Sequence, residues 1–367
     1  MKILVGYVED LKHSGIDKYL LNVVKIAKEN GVVLDFLTSQ YSQDAADYLS
    51  GFGCNVYTVC NLKKPQDHYK DVCEILRKGN YDKAYFNISE PLNMMGPKAA
   101  HDCGVYTIIH SHSSGMDIAN KYKRLIRGLV NDLCRPMLSR YGDKFLACST
   151  KAGYWMYTKK IVESDKFSII YNSVDATKFK PDAVLGEAKR TELNIPEDAF
   201  VIGHVGNYCY AKNNFFLVDI MAEVIKEKSN ALMLCIGDGA DREAVEACAK
   251  ERGVYDNMRF LGIRSDISAL MNALDVFVLP SRFEGLPIVA VEAQLCGVPC
   301  VISNNIDSLV LLSNTCESVS IDDASEWAKV IADLGIKKTA TSLNPDALSK
   351  FSVSESKNQI VNILIGG

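Results

Sequence analysis

The pattern of apolar and polar positions alternates between short apolar runs and longer amphipathic segments, beginning at the N-terminus. Residues 2–7 form an apolar run typical of a buried strand, and residues 32–37 form another. Between them, apolar side chains recur at helical spacing, at Tyr19, Leu20, Val23, Val24 and Ala27. Gly31 ends this predicted helix. Strand, helix and strand in this order predict a parallel sheet covered by helices.

The same alternation continues through the first half of the chain. Strands are predicted at 54–59, 81–87, 106–112, 145–148 and 167–171, and a helix at 67–79. Open α/β sheets bind ligands at the carboxyl ends of their strands, where His112 stands. From the residues alone, His112 is either a ligand contact or a histidine satisfied by local backbone. The Gly-x-Gly-x-x-Gly of dinucleotide folds is absent after the first strand, where Gly15 is either a point of close ligand approach or a plain loop glycine.

A polar stretch that contains Pro181, Gly186 and Pro196 separates the two halves of the chain. Because 367 residues exceed a typical single core, we expect an N-terminal domain over 1–178 and a C-terminal domain over 179–350. The tail 351–367 is predicted as a helix that packs back toward the N-terminal domain. Further strands are predicted at 200–205, 231–236, 257–262, 275–280 and 298–302. Both halves are therefore α/β, and we expect two Rossmann-like domains that face each other across a cleft.

The stretch 275–301 predicts a strand, a polar loop, a helix and a second strand. The helix is expected to begin with Pro287 at its first position, where a missing N–H group costs nothing, and to end at Gly297. The free N–H groups of Gly285 and Leu286 then lie at a positive helix end, which suits a diphosphate.

Two carboxylates, Glu284 and Glu292, flank this helix start. One would hold a hydroxyl-rich group on one side of the phosphates, and the other would hold a second such group. A nucleotide-sugar has that shape. The alternative is that Glu284 favours the helix dipole and Glu292 is an ordinary solvated helix residue. In the loop that follows the strand at 200–205, Lys212 is either a point charge for phosphate or a solvated lysine.

Residues 121–140 are locally basic, with six Lys or Arg residues against the single acid Asp132, and they are interleaved with apolar positions. Such an amphipathic cationic segment is suited to anionic lipid. A packed helix with a solvated basic face is the alternative.

Composition narrows the class of protein. Hydrophobic residues make up 48% and charged residues 23%, with a net charge of −4, which describes a soluble globular chain and gives no reason to expect nucleic-acid binding. The twelve cysteines are scattered without a CxxC pair, and the N-terminus lacks a signal segment. We therefore expect a reduced, cytoplasmic protein.

Several motifs together resemble the family 4 glycosyltransferases of the GT-B fold over nearly the whole chain. They are Glu284-(x)7-Glu292 within Pro-Ser-Arg-Phe-Glu-Gly-Leu-Pro, Gly206 with Lys212-Asn213, Gly237-Asp-Gly239, Phe260-Leu-Gly262 with Asp266, and Tyr171-Asn-Ser-Val-Asp175. His110-Ser-His112 and Ala147-Cys-Ser149 are similar to the subgroup that builds bacterial capsule and exopolysaccharide repeats.

The resemblance implies a retaining transfer of a hexose from a nucleotide-sugar, expected to be a UDP-sugar, to a growing, lipid-linked glycan at the cytoplasmic membrane face. No metal and no cofactor are expected. Lys212 would neutralise the leaving diphosphate, Glu284 would face the hexose and Glu292 would hold the ribose hydroxyls. The remaining donor contacts implied by the resemblance are the Gly206 turn, backbone at Gly285, Leu286 and Pro287, the Ile263–Arg264 loop by the base, Gly15 by phosphate and His112 by the hexose.

One position departs from the family pattern. Asn207 stands where the family usually has an Arg directly after the glycine at Gly206. A neutral hydrogen-bond donor therefore replaces a bidentate guanidinium at the phosphate site. Arg282 or Arg264 would have to compensate. Two alternatives to a transferase therefore stay open: a catalytically degenerate protein that binds nucleotide-sugar and supports a partner transferase, and a GT-B-like sugar-nucleotide epimerase.

Overall fold

The structure is a computed structural model that describes residues 1–8, 11, 15–336 and 342–366. The chain divides into two compact units. The first comprises residues 1–116, 120–172 and 353–367, and the second comprises 117–119 and 173–352. The polar stretch predicted as the domain boundary thus lies just inside the second unit. The predicted tail 351–367 belongs to the first unit from Val353 onward, and its first two residues belong to the second.

The first unit is a seven-stranded parallel sheet with helices on both faces. Its strands are β1 Lys2–Gly6, β2 Val33–Thr38, β3 Asn55–Thr58, β4 Lys83–Ile88, β5 Tyr106–Ser111, β6 Lys144–Ala147 and β7 Phe167–Ile169. Its helices are α1 Gly15–Glu29, α2 Gln43–Ser50, α3 Pro65–Gly79, α4 Met95–Asp102, α5 Lys121–Leu138, α6 Thr150–Met156, α7 Lys159–Val162 and α15 Val353–Ile365. The strand order is β3-β2-β1-β4-β5-β6-β7.

Burial on both faces explains the continuous apolar run of β1. Ile3 and Val5 pack with residues of α1 and α15, whereas Leu4 points the other way into the core that contains Val72 and Leu76 of α3. The five apolar positions that predicted α1 are all buried in the first of these cores.

The second unit has a six-stranded parallel sheet. Its strands are β8 Phe200–Val205, β9 Ala231–Ile236, β10 Met258–Gly262, β11 Val276–Leu279, β12 Cys300–Ser303 and β13 Cys316–Val319, in the order β10-β9-β8-β11-β12-β13. Its helices are α8 Ala183–Glu192, α9 Asn214–Glu227, α10 Arg242–Glu251, α11 Ile267–Asn272, α12 Ile288–Leu295, α13 Ala324–Ile336 and α14 Pro345–Ser349. Short 3₁₀ turns occupy Tyr210–Lys212, Tyr255–Asn257 and Ser308–Val310.

The predicted start of α12 is wrong by one residue. Pro287 has φ −78° and ψ 88°, outside the helical range, and the Ile288 N–H donates to the Leu286 carbonyl at 3.0 Å. These values describe an inverse γ-turn centred on Pro287, so the helix begins at Ile288. Its end is as predicted, since Gly297 follows with φ +76°.

Within the described ranges, no helix combines the length and the apolar character that crossing a bilayer requires.

Candidate functional site

The strand order of the second unit reverses between β8 and β11, because the chain builds outward from these two neighbours in opposite directions. Crevices at the carboxyl ends of such neighbouring strands are the usual ligand sites of open α/β sheets. The loops that leave β8 and β11 are joined there by a backbone hydrogen bond from the Arg282 N–H to the Ala211 carbonyl at 2.8 Å. The site is built on these two loops.

Lys212 and Glu284 meet across the two loops. The Lys212 ammonium contacts Glu284 Oε1 at 2.5 Å, and Ser281 Oγ donates to the same oxygen at 2.6 Å. The side chains are only 20% and 11% exposed, respectively. The attraction between two opposite charges is stronger in a pair that is largely removed from water than in a surface pair. The alternative of a solvated Lys212 is therefore wrong. Two of the three residues predicted as catalytic, Lys212 and Glu284 but not His112, form this pair.

Three glycines bring the backbone of neighbouring strand ends into close contact beside this pair. The Gly206 N–H donates to the Ile236 carbonyl at 2.9 Å, and the Gly237 N–H donates to the Gly262 carbonyl at 2.8 Å. A Cβ atom on Gly237 would lie 2.1 Å from the Gly206 carbonyl oxygen. A side chain is thus excluded at Gly237, and the floor of the site at Gly206 and Gly237 is backbone.

His204, in the penultimate position of β8, is fully buried under these loops. Its Nδ1–H donates to the Val278 carbonyl of β11 at 3.0 Å, because that oxygen can only accept. The Nε2 atom then accepts from Asn214 Nδ2 at 3.5 Å. Burial, with a smaller contribution from the charge of Lys212, lowers the pKa of His204 from 6.5 to about 4. A neutral His204 therefore ties together the two strands that carry the site.

This histidine is expected to make stability depend on pH. Unfolded His204 titrates near 6.5 and folded His204 near 4, so between these values the unfolded state binds more protons and stability falls as the pH is lowered. From about pH 7 to about pH 5 the loss should be about 2 kcal/mol for this residue. Urea unfolding at both pH values measures it. His204→Asn, which keeps a donor near the Nδ1 position, should lose less stability than wild type over this interval.

The matched control is His101→Gln, at an exposed position of α4. It should lose as much stability as wild type over the same pH interval, since the other buried histidines are present in both proteins. An unaltered pH response in His204→Asn would contradict the assignment of a buried neutral imidazole.

The cation that is missing at Asn207 has one candidate replacement. Asn207 is exposed. Arg264 is engaged elsewhere, because its guanidinium contacts both Asp266 carboxylate oxygens at 2.8 and 2.6 Å and Glu192 at 3.3 Å. Arg282 lies over the Tyr210 ring, 4.7 Å from its centroid, and its buried Nε has no hydrogen-bond partner among the described atoms. Of the two arginines named as compensating, Arg264 is thus paired with two carboxylates, whereas Arg282 has a nitrogen that no described atom bonds and is the better candidate.

Glu292 lies on α12 and is only 8% exposed. The alternative of an ordinary solvated helix residue is therefore wrong for Glu292. Gly285, Leu286 and Pro287, which precede this helix, are also buried. Ile263, which is predicted to lie beside the nucleotide base, is 61% exposed and therefore offers an apolar surface.

In the first unit, His112 directly follows β5. Its Nε2–H donates to Asn87 Oδ1 of β4 at 2.8 Å, and Asn87 Nδ2 donates to the Gly6 carbonyl of β1 at 3.3 Å. Burial lowers the pKa of His112 from 6.5 to about 3, so the ring is neutral and its Nδ1 is an acceptor. A side-chain amide, rather than local backbone, thus orients the ring.

A buried chain of rings supports His112. The rings of His110 and His112 have centroids 3.9 Å apart, Tyr85 Oη contacts His110 Nδ1 at 2.5 Å, and Tyr19 Oη contacts Tyr85 Oη at 2.7 Å. Desolvation lowers the pKa of His110 well below its usual value. Gly15 opens α1 and is exposed, and a Cβ there would meet no described atom within 4 Å, so packing does not require glycine at this position. Ser14 lies outside the described residues.

Sequence reasoning missed Ser281, His204 and the Asn87–Tyr85–Tyr19 group. The sequence does contain a signal for His204, because a histidine inside a buried apolar strand needs a hydrogen-bond partner. The sequence contains no such signal for Ser281, which resembles any loop serine, or for Tyr19, which resembles an ordinary core residue of α1.

The chain is similar in sequence to known glycosyltransferases. The family model described as "Glycosyl transferases group 1" matches residues 186–317. EpsF of Bacillus subtilis, named as a glycosyltransferase, is 25% identical over 386 residues, covering 97% of this chain and 98% of its own. The Escherichia coli UDP-Gal:α-D-GlcNAc-diphosphoundecaprenol α-1,3-galactosyltransferase is 25% identical over 300 residues, covering 81% and 75%.

Solved structures define the fold. The crystal structure of Anabaena HepE in complex with UDP-glucose superposes with a TM-score of 0.77 at 20% identity, covering 99% of both chains. That of WaaG, a glycosyltransferase involved in lipopolysaccharide biosynthesis, gives 0.72 at 15% identity, covering 100% of both. The chain has the GT-B fold, as the sequence predicted.

Proposed function

We propose that this protein is a retaining, family 4-type glycosyltransferase that moves a hexose from a UDP-sugar to a growing, lipid-linked glycan in surface-polysaccharide synthesis. The observation that carries the proposal is the shielded Lys212–Glu284 pair at the β8–β11 strand ends, beside a floor of glycine backbone. The names of the relatives support the class, and one of them specifies a UDP-sugar donor and a diphosphoundecaprenol acceptor.

The donor would bind along the loops of the second unit. Glu292 would accept hydrogen bonds from the ribose hydroxyls, and the peptide groups that precede α12 would contact phosphate at the positive end of that helix. The base would lie against Ile263, whose exposed side chain offers an apolar surface.

Charge develops on the diphosphate as the bond to the sugar breaks. Lys212 would stabilise that charge, and its position is set in advance by Glu284 and Ser281. Arg282 would supply the second cation that Asn207 does not. Glu284 would face the hexose, and His112, held neutral by burial, would offer an uncharged hydrogen-bond acceptor to a sugar hydroxyl.

This mechanism assigns the neutralising role to side chains and requires neither metal nor cofactor. A cytoplasmic location, at the inner face of the membrane, follows from the nucleotide-sugar donor. Capsule or exopolysaccharide is the proposed product class.

Thermal shift with UDP-, GDP- and ADP-sugars tests the donor, since a ligand that binds only the native state raises the Tm. UDP-sugars should give the largest rise. UDP release in the presence of a membrane-lipid extract should then produce a glycosylated lipid. Conversion of the sugar-nucleotide without a glycan product would support the epimerase instead. Donor binding without turnover, with activity appearing in Asn207→Arg, would support the degenerate partner subunit.

Glu292→Gln should weaken UDP binding by about 10- to 100-fold, because the neutral amide loses charge-assisted bonds to the ribose. Isothermal calorimetry with UDP measures it. Glu251→Gln, at an exposed position of α10, is the control and should bind UDP as wild type does. Equal affinity of Glu292→Gln and wild type would remove the ribose role.

A further inference from the structure

Helix α5 directs an apolar face outward, whereas a surface helix usually directs its apolar face toward the core. Five large apolar side chains on it are between 59% and 77% exposed: Tyr122, Leu125, Ile126, Leu129 and Leu133. At 100° per residue they fall on one continuous stripe of the helix. Exposed apolar residues that are scattered singly are normal, whereas a contiguous stripe marks an interaction surface.

The inward face of the same helix is held by polar contacts. Asn131 is fully buried, its Nδ2 donates to Glu90 Oε2 at 3.1 Å, and its Oδ1 accepts from the Leu92 N–H at 3.1 Å. Arg127 Nε donates to the same Glu90 oxygen at 2.8 Å. These contacts fix the rotation of α5, so the apolar stripe cannot turn inward without breaking a partly buried hydrogen-bond network. The outward stripe is therefore a built feature of the fold.

Positive charge borders the stripe. Lys121 and Lys123 are exposed at its two edges, and Arg140 is exposed just beyond the C-terminal end of the helix. The segment 121–140 holds six basic residues and one acidic residue, in a chain whose net charge is −4. An apolar surface with a basic border is complementary to the headgroup and acyl boundary of an anionic bilayer.

We infer that α5 is a membrane-docking helix that lies in the plane of an anionic lipid surface. Its five-residue apolar stripe enters the acyl boundary, and Lys121 and Lys123 contact anionic headgroups. The helix, 18 residues and about 27 Å long, lies on the surface and does not cross it. The inference does not depend on the transfer reaction.

Vesicle sedimentation with the full-length protein tests the surface. The probes are vesicles of phosphatidylcholine alone and vesicles with about one-third phosphatidylglycerol. Wild-type protein should bind the anionic vesicles about tenfold or more tightly than the neutral ones. Leu125→Glu/Leu129→Glu should reduce binding about tenfold or more, because charges then enter the acyl boundary. Lys121→Glu/Lys123→Glu should reduce it about fivefold per lysine.

Val184→Glu is the matched control, because Val184 on α8 is 79% exposed and lies outside the stripe. It should bind anionic vesicles as wild type does. The Tm and the Tm rise caused by UDP should be the same in all variants, which shows that the fold and the donor site are intact. An absent UDP response in wild type would count against the proposed function and leave the vesicle result standing.

Two outcomes would overturn the inference. One is vesicle binding of Leu125→Glu/Leu129→Glu that equals wild type. The other is a wild-type dimer in solution that becomes monomeric in the same variant and sediments with neither vesicle, because a second copy of the chain would then cover the stripe.

Discussion

Replacing Lys212 with methionine is expected to lower the kcat of sugar transfer by about 100- to 1,000-fold. The substitution keeps the length of the side chain and removes the charge that the mechanism places at the leaving diphosphate. The contribution is large because Lys212 is mostly shielded from water and already oriented by Glu284 and Ser281, so little reorganisation accompanies the reaction. UDP release with a lipid extract as acceptor source measures the loss.

Removing Lys212 also leaves Glu284 without its cation, which by itself destabilises the loops. Glu284→Gln and the double variant Lys212→Met/Glu284→Gln separate the two effects. If Lys212 acts on the diphosphate, the double variant should stay as slow as Lys212→Met although the unpaired carboxylate is gone. If the pair is only structural, the double variant should recover activity and Tm together.

The surface pair of Lys226 and Glu223 on α9 provides the control, since its two atoms are 2.7 Å apart but the lysine is largely exposed. Lys226→Met should leave kcat within about twofold of wild type and change stability by less than about 1 kcal/mol. A Lys212→Met enzyme as active as Lys226→Met would rule out the catalytic role.

Gly237→Ala is expected to have the largest effect on stability. Its Cβ would lie 2.1 Å from the Gly206 carbonyl oxygen and 2.9 Å from the Gly206 carbonyl carbon, at a φ of +131° that favours glycine. Neither strand end can retreat easily, because the Gly237 N–H is bonded to the Gly262 carbonyl and the Gly206 N–H to the Ile236 carbonyl. We expect a loss of about 3 kcal/mol or more, from strain and broken hydrogen bonds.

Gly253→Ala distinguishes this clash from the general cost of a left-handed residue. Gly253 has φ +70°, and a Cβ there would meet no described atom within 4 Å, so alanine should cost about 1 kcal/mol. For a unit of this size the Tm should fall by about 6–12 °C in Gly237→Ala and about 2–4 °C in Gly253→Ala. Equal falls in Tm would show that the contact with Gly206 is not rigid. UDP affinity should fall only in Gly237→Ala, since that glycine borders the site.

Much of the candidate site was predictable because its residues lie at positions with strong local signals. Glu284 precedes a helix that follows a buried strand, Glu292 lies on that helix, and Lys212 follows another strand end. Parallel strands gather their carboxyl ends at one edge of a sheet, so such residues come close even though 72 positions separate Lys212 from Glu284. Asn87 and Tyr85 lack such a signal, because the sequence within a strand predicts only which residues are buried and not which side chains they bond.

Apolar periodicity and the spacing of glycines specified this protein's two α/β halves, its strand ends and the residues offered there, because these depend on interactions between near neighbours in the chain. The tertiary structure alone decided which partners those residues have. Lys212 bonds to Glu284, Arg264 is held by Asp266, and Arg282 has a nitrogen without a hydrogen-bond partner in the described part of the chain.

The rotation of α5 was decided in the same way. Its sequence is amphipathic whichever face is inside, and the partly buried bonds of Asn131 and Arg127 to Glu90 fix the rotation in which the apolar face is outward. Such choices depend on groups distant in sequence, whose pairing is set only when the sheet brings them together.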